Sequence, residues 1–429
     1  MLQTLRNAWR VEEIRKKLLF TLAIVLLYRL GNAVPVPFVD VATLTNYFTA
    51  MRNTVFGMMD MMSGGAFSTA TIFALSIQPY INASIIIQLL CIAIPALERM
   101  SKDEGEEGRK KIASITRYAT VGIGLLQGFG YYMIMRANGI LVSGYSTNVL
   151  AAIVIVLTFT SGSALVMWLG EQINEFGIGN GISIILFVSI VSRLPNAIIN
   201  SIRNVAAGNL AWWAAVLVFL GALAIIILIV FVNDAERRIP VVYAKRVVGR
   251  KMYGGQSTHL PMKVNMSGVM PIIFAQTIAS LPATIGAFTG AGEDSWINTW
   301  FGTSSLLYAL VYFLLIIFFA YFYSTIQFDP IEVSNNLKKN GGYIPGFRPG
   351  KPTSDFIRKV LNKITLFGAL YLGIIACVPI IVSHFTTAPA LTGLSLGGTS
   401  IIIAVGVALE TVRALEAQLL MRNYKGFLS

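Results

Sequence analysis

The sequence predicts an all-α membrane protein in which ten apolar helices cross the bilayer. Of the 429 residues, 55% are hydrophobic and 12% are charged, and the mean hydropathy is +0.69. Ordinary soluble domains carry about 25% charged residues, so this chain is too apolar to be one. It has only two cysteines, Cys91 and Cys377, and both lie inside apolar runs, which excludes a disulfide-stapled scaffold.

The apolar runs approach the length of about 20 residues that a helix needs to cross a bilayer. They lie at about 18–38, 72–96, 112–135, 149–169, 182–199, 212–232, 268–288, 306–328, 364–385 and 400–420. The first run is interpreted as a retained span behind an interfacial helix, not as a cleaved signal peptide. The N-terminal half (1–200) and the C-terminal half (201–429) then hold five spans each, so the halves can be repeats only if they are inverted.

The distribution of basic residues predicts the orientation of the chain. There are 33 lysines and arginines against 20 acidic residues. All but five of the basic residues lie in the N-terminal segment, the C-terminal region and the loops at about 97–117, 233–265 and 329–364. Basic loops stay on the cytoplasmic side of a membrane. We therefore expect both termini and these three loops in the cytoplasm.

Acidic residues are predicted to avoid mid-membrane depth, where coupled transporters usually hold titratable groups. Glu171 and Asp329, for example, fall near cytoplasmic ends of spans, and Glu410 falls in the cytoplasmic half of the last span. The exception among charged residues is Arg29, about eleven residues into the first run, which we interpret as a partner in helix packing. This pattern disfavours a proton-coupled carrier and an intramembrane protease.

The second apolar run is interrupted by polar residues and by Pro79, and a Met-rich stretch at 53–65 precedes it. This stretch is too short to span a membrane and ends in Gly64-Gly65. Irregular backbone at membrane depth must be buried in protein or face water. The stretch is therefore either a re-entrant plug or an ordinary external loop with packing methionines, and periodicity alone leaves both open.

Two cytoplasmic loops, 233–265 and 329–364, are long, basic and stiffened by turn residues. The second contains Gly346-Phe-Arg348-Pro-Gly350. Because proline fixes φ and glycine permits tight reversals, we expect Arg348 at the tip of an ordered loop. Its planar guanidinium suits bidentate recognition of carboxylate or phosphate. The loops either dock an acidic protein or RNA, or their charge serves orientation alone.

The string Gly177-Ile-Gly179-Asn180-Gly181 resembles a phosphate-binding loop only superficially. It does not match GxGxxG and follows no predicted strand. It instead predicts a tight cytoplasmic turn into the fifth span. With no P-loop and no acidic metal cluster in the sequence, we expect no cofactor and no catalytic role for this chain.

Several longer strings run through the sequence. They include Gly31-Asn-Ala-Val-Pro-Val-Pro37, Pro79-Tyr-Ile-Asn-Ala-Ser-Ile-Ile-Ile-Gln-Leu-Leu90, Trp168-Leu-Gly-Glu-Gln-Ile173, Gln256-Ser-Thr-His-Leu-Pro-Met-Lys263 and Ile344-Pro-Gly-Phe-Arg-Pro-Gly350. In these strings the chain resembles the SecY family, the central channel subunits of bacterial protein translocons, over essentially its whole length. The resemblance implies a clamshell of two inverted five-helix halves with a re-entrant plug helix.

The resemblance also implies roles for residues of the membrane interior. The plug would comprise Thr54, Val55, Phe56, Gly57, Met58, Met59, Asp60, Met61, Met62, Ser63, Gly64, Gly65 and Ala66. A hydrophobic pore ring would be formed by Ile81, Ile85, Leu186, Ile190, Ile278 and Ile403. Spacing agrees, because the two pairs on the second and fifth spans are i,i+4 and face one way from their helices. Leu186 departs from an all-isoleucine ring in shape but not in polarity.

A sideways opening between the second and third spans and the seventh and eighth is implied as well. Its candidate polar groups are Asn82, Gln88 and Gln276. The basic loops become docking sites for the SecA motor or the ribosome, with ribosomal RNA as one candidate contact. Their residues would be Arg237, Arg238, Lys245, Arg246, Arg250, Lys251, Arg348 and Lys351. SecE and SecG are the implied membrane partners.

The predicted function is a protein-conducting channel in a bacterial plasma membrane. It would translocate signal-bearing preproteins and release membrane segments laterally into lipid, with energy supplied by SecA or the ribosome. The alternatives are a small-solute secondary transporter that uses neutral polar ligands, and a lipid or polysaccharide flippase. Uptake of a preprotein, as against a small solute, by reconstituted vesicles discriminates between channel and transporter.

Overall fold

The computed structural model describes residues 6, 8–50, 55–102, 104–145, 148–208, 211–243, 246–248, 251–253, 257–288, 296–302, 305–385 and 398–425. Helices dominate this part of the chain, and two small antiparallel sheets join them. The predicted class, a multi-pass helical membrane protein, is confirmed. The sheets were not predicted.

In the N-terminal half, the described residues form helices that are joined by turns and isolated bridges. Its helices are α1 (Glu12–Gly31), α2 (Val41–Ala50), α3 (Val55–Met62), α4 (Gln78–Ala93), α5 (Pro95–Lys102), α6 (Gly105–Ala137), α7 (Val149–Phe176), α8 (Gly181–Val191) and α9 (Leu194–Ala206). The fifth predicted span is formed by α8 and α9 together. Asn180 caps α8, because its side-chain oxygen accepts from the amides of Ile182 and Ser183. Gly179 has φ +78, so the predicted tight turn into this span is confirmed.

The C-terminal half combines helices with the sheets. Its elements are α10 (Trp212–Asp234), β1 (Glu236–Tyr243), β2 (Arg246–Val248), β3 (Lys251–Tyr253), β4 (Ser257–Lys263), α11 (Met270–Phe288), α12 (Trp296–Phe301), α13 (Leu306–Gln327), α14 (Pro330–Lys339), β5 (Gly342–Tyr343), α15 (Lys351–Phe385) and α16 (Gly398–Lys425). Helix α14 begins behind an Asp329 cap that accepts from the Ile331 amide.

Each of the ten predicted runs contains a helix, but not all of these helices are long spans by themselves. Among the described residues, five helical segments are long and apolar enough to cross a membrane, at 149–176, 181–206, 212–234, 306–339 and 351–381. A sixth arises if α4 and α5, bent by 106° at their junction, form one span. The count of ten crossings therefore stays a prediction.

The predicted bounds of the first two runs are wrong. Helix α1 ends at Gly31, since Pro35 and Pro37 follow, and Pro35 instead forms a bridge to Thr71. Arg29 consequently lies in the last turn of α1 and not deep within a span. Helix α4 begins only at Gln78.

Residues 63–77, between α3 and α4, form consecutive turns with an isolated bridge at Thr71. Ala70 has φ +42 and Ser76 has φ +50, and this left-handed backbone is incompatible with a continuous helix. The segment is held instead by local hydrogen bonds and by the bridge to Pro35. The irregular entry into the second span is therefore a structured part of the fold.

The two long basic loops are tied together by a three-stranded sheet in the order β4-β1-β5. Ile239 pairs with Leu260, and Val242 of β1 pairs with Tyr343 of β5. Ile239 and Val241 alternate with exposed residues and pack into a small apolar cluster with Ile344 and Leu361. This alternation is the pattern of a half-buried strand, which sequence analysis passed over as loop.

Packing between the helices divides into two main apolar clusters. The larger contains residues of α1, α4, α7, α8, α10, α11, α13, α15 and α16. The second, which we call the outer aromatic cluster, includes Phe48, Phe56, Phe67, Tyr131 and Phe159. Large apolar side chains on α10 remain exposed, as a lipid-facing helix requires.

Candidate pore, plug and docking surface

The six predicted ring residues come from four helices and lie in or against one apolar cluster. Ile81 and Ile85 are on α4, Leu186 and Ile190 on α8, Ile278 on α11 and Ile403 on α16. Five of them are between 1% and 6% exposed, and Ile278 is partly buried against the same cluster. Residues more than 300 positions apart in the chain are thus brought into one apolar assembly.

Helix α3, which carries most of the predicted plug, lies between the two main clusters. Met62 belongs to the cluster that contains the ring residues, whereas Phe56 and Met59 belong to the outer aromatic cluster. Helix α3 packs against α8 and α11. The side chains of Val55 and Met58, and all of Thr54, lie outside the described residues.

Methionine sulfurs of α3 contact polar groups of the C-terminal half. The Ser400 hydroxyl donates to Met61 Sδ at 2.9 Å, and Gln276 Nε2 donates to Met62 Sδ at 3.7 Å. Gln276 is 6% exposed, and its Oε1 has no partner. These are weak bonds to soft acceptors, so they position α3 without fixing it strongly.

A tight turn follows α3 and rests against the end of α8. Gly64 has φ +70, and a Cβ at this position would lie 3.0 Å from the carbonyl oxygen of Ser189. Gly65 has φ +96, with the guanidinium of Arg193 at 3.0 Å from its virtual Cβ. Both the backbone conformation and the close approach require glycine here.

Asp60 makes the charged contact of α3. Its Oδ2 pairs with Arg193 Nη2, at the junction of α8 and α9, and its Oδ1 accepts from the Ser68 amide at 2.8 Å. The Asp60 side chain is 12% exposed and the Arg193 side chain 33%. Sequence analysis did not single out this pair, because 133 residues separate its members.

The predicted lateral groups are not brought into one contact. Gln88 on α4 accepts from the Tyr323 hydroxyl on α13 at 2.6 Å and donates to Ser84 at 3.2 Å. Asn82 Oδ1 is buried without a partner, and Gln276 contacts α3 instead. Tyr323 was missed by sequence analysis, since nothing in its local sequence distinguishes it from neighbouring aromatic residues.

The loop that carries Arg348 is ordered by specific contacts. Gly346 and Gly350 have φ +88 and +103, and the Phe347 ring stacks on Phe356 at 4.2 Å between centroids. The Thr353 hydroxyl donates to the Arg348 carbonyl oxygen at 2.8 Å. The side chain of Arg348 is exposed. The prediction of a rigid turn that presents this arginine is confirmed.

Of the other predicted docking residues, the structure describes some side chains and not others. Arg237 and Arg238 lie exposed on β1, and Arg238 Nε donates to Glu236 at 2.6 Å. Lys351 is exposed at the start of α15. Arg246 and Lys251 sit on the β2–β3 hairpin, but their side chains are not described. Lys245 and Arg250 lie outside the described residues.

A cluster of polar groups joins the C-terminal end of α10 to the middle of α16. Arg413 Nη2 donates to the carbonyl oxygen of Asn233 at 2.8 Å and to Asp234 Oδ1 at 2.5 Å. Burial, with Arg413 as the next contributor, lowers the pKa of Lys263 from its ordinary value. In the described part of the chain, no group of three or more histidine, cysteine or acidic side chains is arranged to hold a metal ion.

Comparisons with known proteins identify the class. The SecY family model matches residues 71–412. The chain is 45% identical to the protein translocase subunit SecY of Streptomyces scabiei and 43% identical to that of Mycobacterium tuberculosis H37Rv, with both proteins of each pair fully covered.

Solved structures share the fold. One titled as the structure of a protein conducting channel has a TM-score of 0.68 at 17% identity, covering 94% of this chain and 92% of the other. Sec61 in the canine ribosome-channel complex has a TM-score of 0.65 at 15% identity, with the same coverage. The fold is thus that of a multi-pass, channel-type membrane protein. At the level of sequence, the chain belongs to the SecY family.

Proposed function

We propose that this chain is the protein-conducting subunit of a bacterial translocase. Signal-bearing preproteins would cross through the apolar ring, and membrane segments would leave sideways into lipid. The observation that carries the proposal is the convergence of six apolar ring residues from four helices, with the end of α3 packed into the same cluster. The family relationship supports the same function.

The ring suits a conduit that accepts any sequence. Apolar side chains make no directional bonds, so they can pack around whichever residue passes. An empty apolar constriction excludes water and with it ions. Helix α3 and residues 63–66 would act as the plug that covers the resting ring, since Met62 touches the ring cluster from one side.

Lateral release would occur where α4 and α6 meet α11 and α13. We assign the Tyr323–Gln88 hydrogen bond as a polar contact across this seam, because it joins α4 of one half to α13 of the other. Asn82 and Gln276 hold unpartnered oxygens on the helices beside it. Such groups can bind a passing backbone when the seam opens, since buried polar atoms gain from any partner.

The basic loops would face the cytoplasm of a bacterial plasma membrane, together with both termini, and dock the energy source. Arg348 is held at an ordered tip, and Arg237 lies on β1, which the three-stranded sheet joins to the short strand that precedes this tip. SecA or a ribosome would bind there, and SecE and SecG would complete the complex. Two solved structures with the same fold support a ribosome contact, one titled as Sec61 in the canine ribosome-channel complex and one as a yeast Ssh1 complex bound to the ribosome. Energy would come from these partners.

Reconstituted vesicles test the proposal. Vesicles with the chain, its membrane partners, SecA and ATP should import a signal-bearing preprotein, and Arg348→Glu should abolish import while the complex stays monodisperse. The matched control is Arg203→Glu, the same charge change on the exposed face of α9, which should import normally. Absence of import by the unmodified protein, with uptake of small solutes, would contradict a protein-conducting channel.

A further inference from the structure

Asp60 is the only ionisable residue of α3. It is 8% exposed as a whole residue and follows Met59, a member of the apolar outer aromatic cluster. A carboxylate in such surroundings is costly unless it is paired. Arg193 supplies the pair, and the Ser68 amide occupies the second carboxylate oxygen. Both carboxylate oxygens of Asp60 are therefore used when α3 is seated.

The neighbouring contacts of α3 are much weaker individually. Met61 and Met62 contact Ser400 and Gln276 through sulfur, and Phe56 and Met59 pack in the outer aromatic cluster. The two glycines after α3 are fitted to the surface of α8 and to Arg193 itself. The ion pair is thus the strong, directional interaction of α3, whereas the other contacts of this helix are weak and adaptable.

Arg193 follows directly from the helix that carries two ring residues. Leu186 and Ile190 lie on α8, and Arg193 comes three residues after Ile190. Ser189 on the same helix is hydrogen-bonded to Tyr28 at 2.8 Å. An outward movement of α8, which widens the ring, would carry Arg193 with it and strain the bond to Asp60. The ring and the pair are mechanically connected through one element.

We propose that the Asp60–Arg193 ion pair is the latch of the plug and that it sets how strong a signal sequence must be to open the channel. The inference rests on the proposed function. A bound signal sequence that displaces α8 would release Asp60, and α3 would then leave the ring. A weak signal would not supply the free energy needed to break the pair. When the latch opens, both charges regain water, which favours the open state once it has formed.

A double-mutant cycle tests the latch. Asp60→Asn keeps an oxygen for the Ser68 amide but removes the charge, and Arg193→Gln removes its partner. Each single variant should raise the rate at which Met59→Cys reacts with a membrane-impermeant maleimide about tenfold, a change that corresponds to ~1.4 kcal/mol. All variants would be made in a protein that also carries Cys91→Ala and Cys377→Ser, so that the introduced cysteine is the one that reacts with the maleimide. The double variant should react no faster than either single variant, because one bond is lost in all three.

A control variant and a measurement of folding accompany the double-mutant cycle. Arg203→Gln, an exposed arginine on α9, should leave the maleimide rate unchanged. Melting temperatures of the purified complexes show whether a variant folds, and only folded variants are scored. Single variants that react at the unmodified rate, or effects that add in the double variant, would overturn the latch. The test reads plug exposure without substrate, so it stands even if preprotein import, and with it the proposed function, fails.

A functional readout follows from the same variants. Vesicles with Asp60→Asn should import a preprotein whose signal sequence is defective, which the unmodified channel rejects. If both proteins reject this preprotein although the variant reacts faster with maleimide, the ion pair holds the plug but does not select substrates. That result would overturn the proposal that the pair sets the required strength of the signal sequence.

Discussion

Ile403 illustrates what one side chain contributes to the ring. It is 2% exposed and belongs to the apolar cluster that also contains the ring residues of α4 and α8, although more than 200 residues separate it from the nearest of them. Burying an unpartnered amide in such a place costs about 1–3 kcal/mol, so a polar residue here would draw water into the constriction.

Ile403→Asn should therefore raise ion conductance through the resting channel and relax the discrimination between strong and weak signal sequences. Ile403→Val is the matched control. It removes one methylene at a cost of about 0.5–1.5 kcal/mol and leaves the ring dry, so its conductance should match that of the unmodified protein. Single-channel recording in planar bilayers measures both. Equal conductance for all three proteins would exclude Ile403 from the constriction.

Single residues also mark the limits of sequence analysis. The i,i+4 spacing of Ile81 with Ile85 predicts a shared face, which the structure gives them. The partners Asp60–Arg193 and Gln88–Tyr323 were not predictable, because 133 and 235 residues separate them and tertiary packing alone brings them together. The pairing of distant polar groups leaves no local pattern.

At the scale of elements, helix content was predictable and helix ends were less so. Apolar composition predicts α7 or α10 directly, since each is a continuous apolar run. Helix α4 begins late because Ala70 and Ser76 adopt left-handed backbone conformations. Alanine and serine do not favour that conformation, so the sequence does not predict it. Strand β1 escaped notice because it contains Arg237, Arg238 and Pro240. Strand β4 escaped notice because its sequence, Ser-Thr-His-Leu-Pro-Met-Lys, is mostly polar and contains a proline. Tertiary contacts decide these boundaries.

The contact between α4 and α13 yields an element-level prediction. Tyr323→Phe removes the donor that Gln88 accepts from, a loss of about 1 kcal/mol, and should let the seam open more readily. Vesicles with this variant should integrate a marginally apolar membrane segment more efficiently than the unmodified channel. Tyr321→Phe is the control, because its hydroxyl bonds within the C-terminal half, to the Asn362 carbonyl oxygen. Equal integration by all three proteins would show that the Tyr323–Gln88 hydrogen bond does not help to keep the seam closed.

At the scale of the whole molecule, the two halves meet unevenly. Helix α8 of the N-terminal half packs closely with α16 of the C-terminal half, whereas α4 and α6 meet α11 more sparsely. A closely packed side and a sparse side favour opening at the sparse one. The exposed Arg237 and Arg238 lie on a separate unit built on β1, β4 and β5. The proposed ring, the proposed seam and the proposed docking surface therefore occupy different parts of one fold.

The central claim is that a polypeptide passes through the ring. A preprotein carrying one cysteine and stalled halfway by a folded C-terminal domain should form a disulfide with Ile278→Cys in the ring. It should form none with Ile374→Cys, an exposed residue on the surface of α15. Crosslinking to the ring position alone is the predicted result. A stalled chain that crosslinks to the α15 surface and not to the ring would contradict the account.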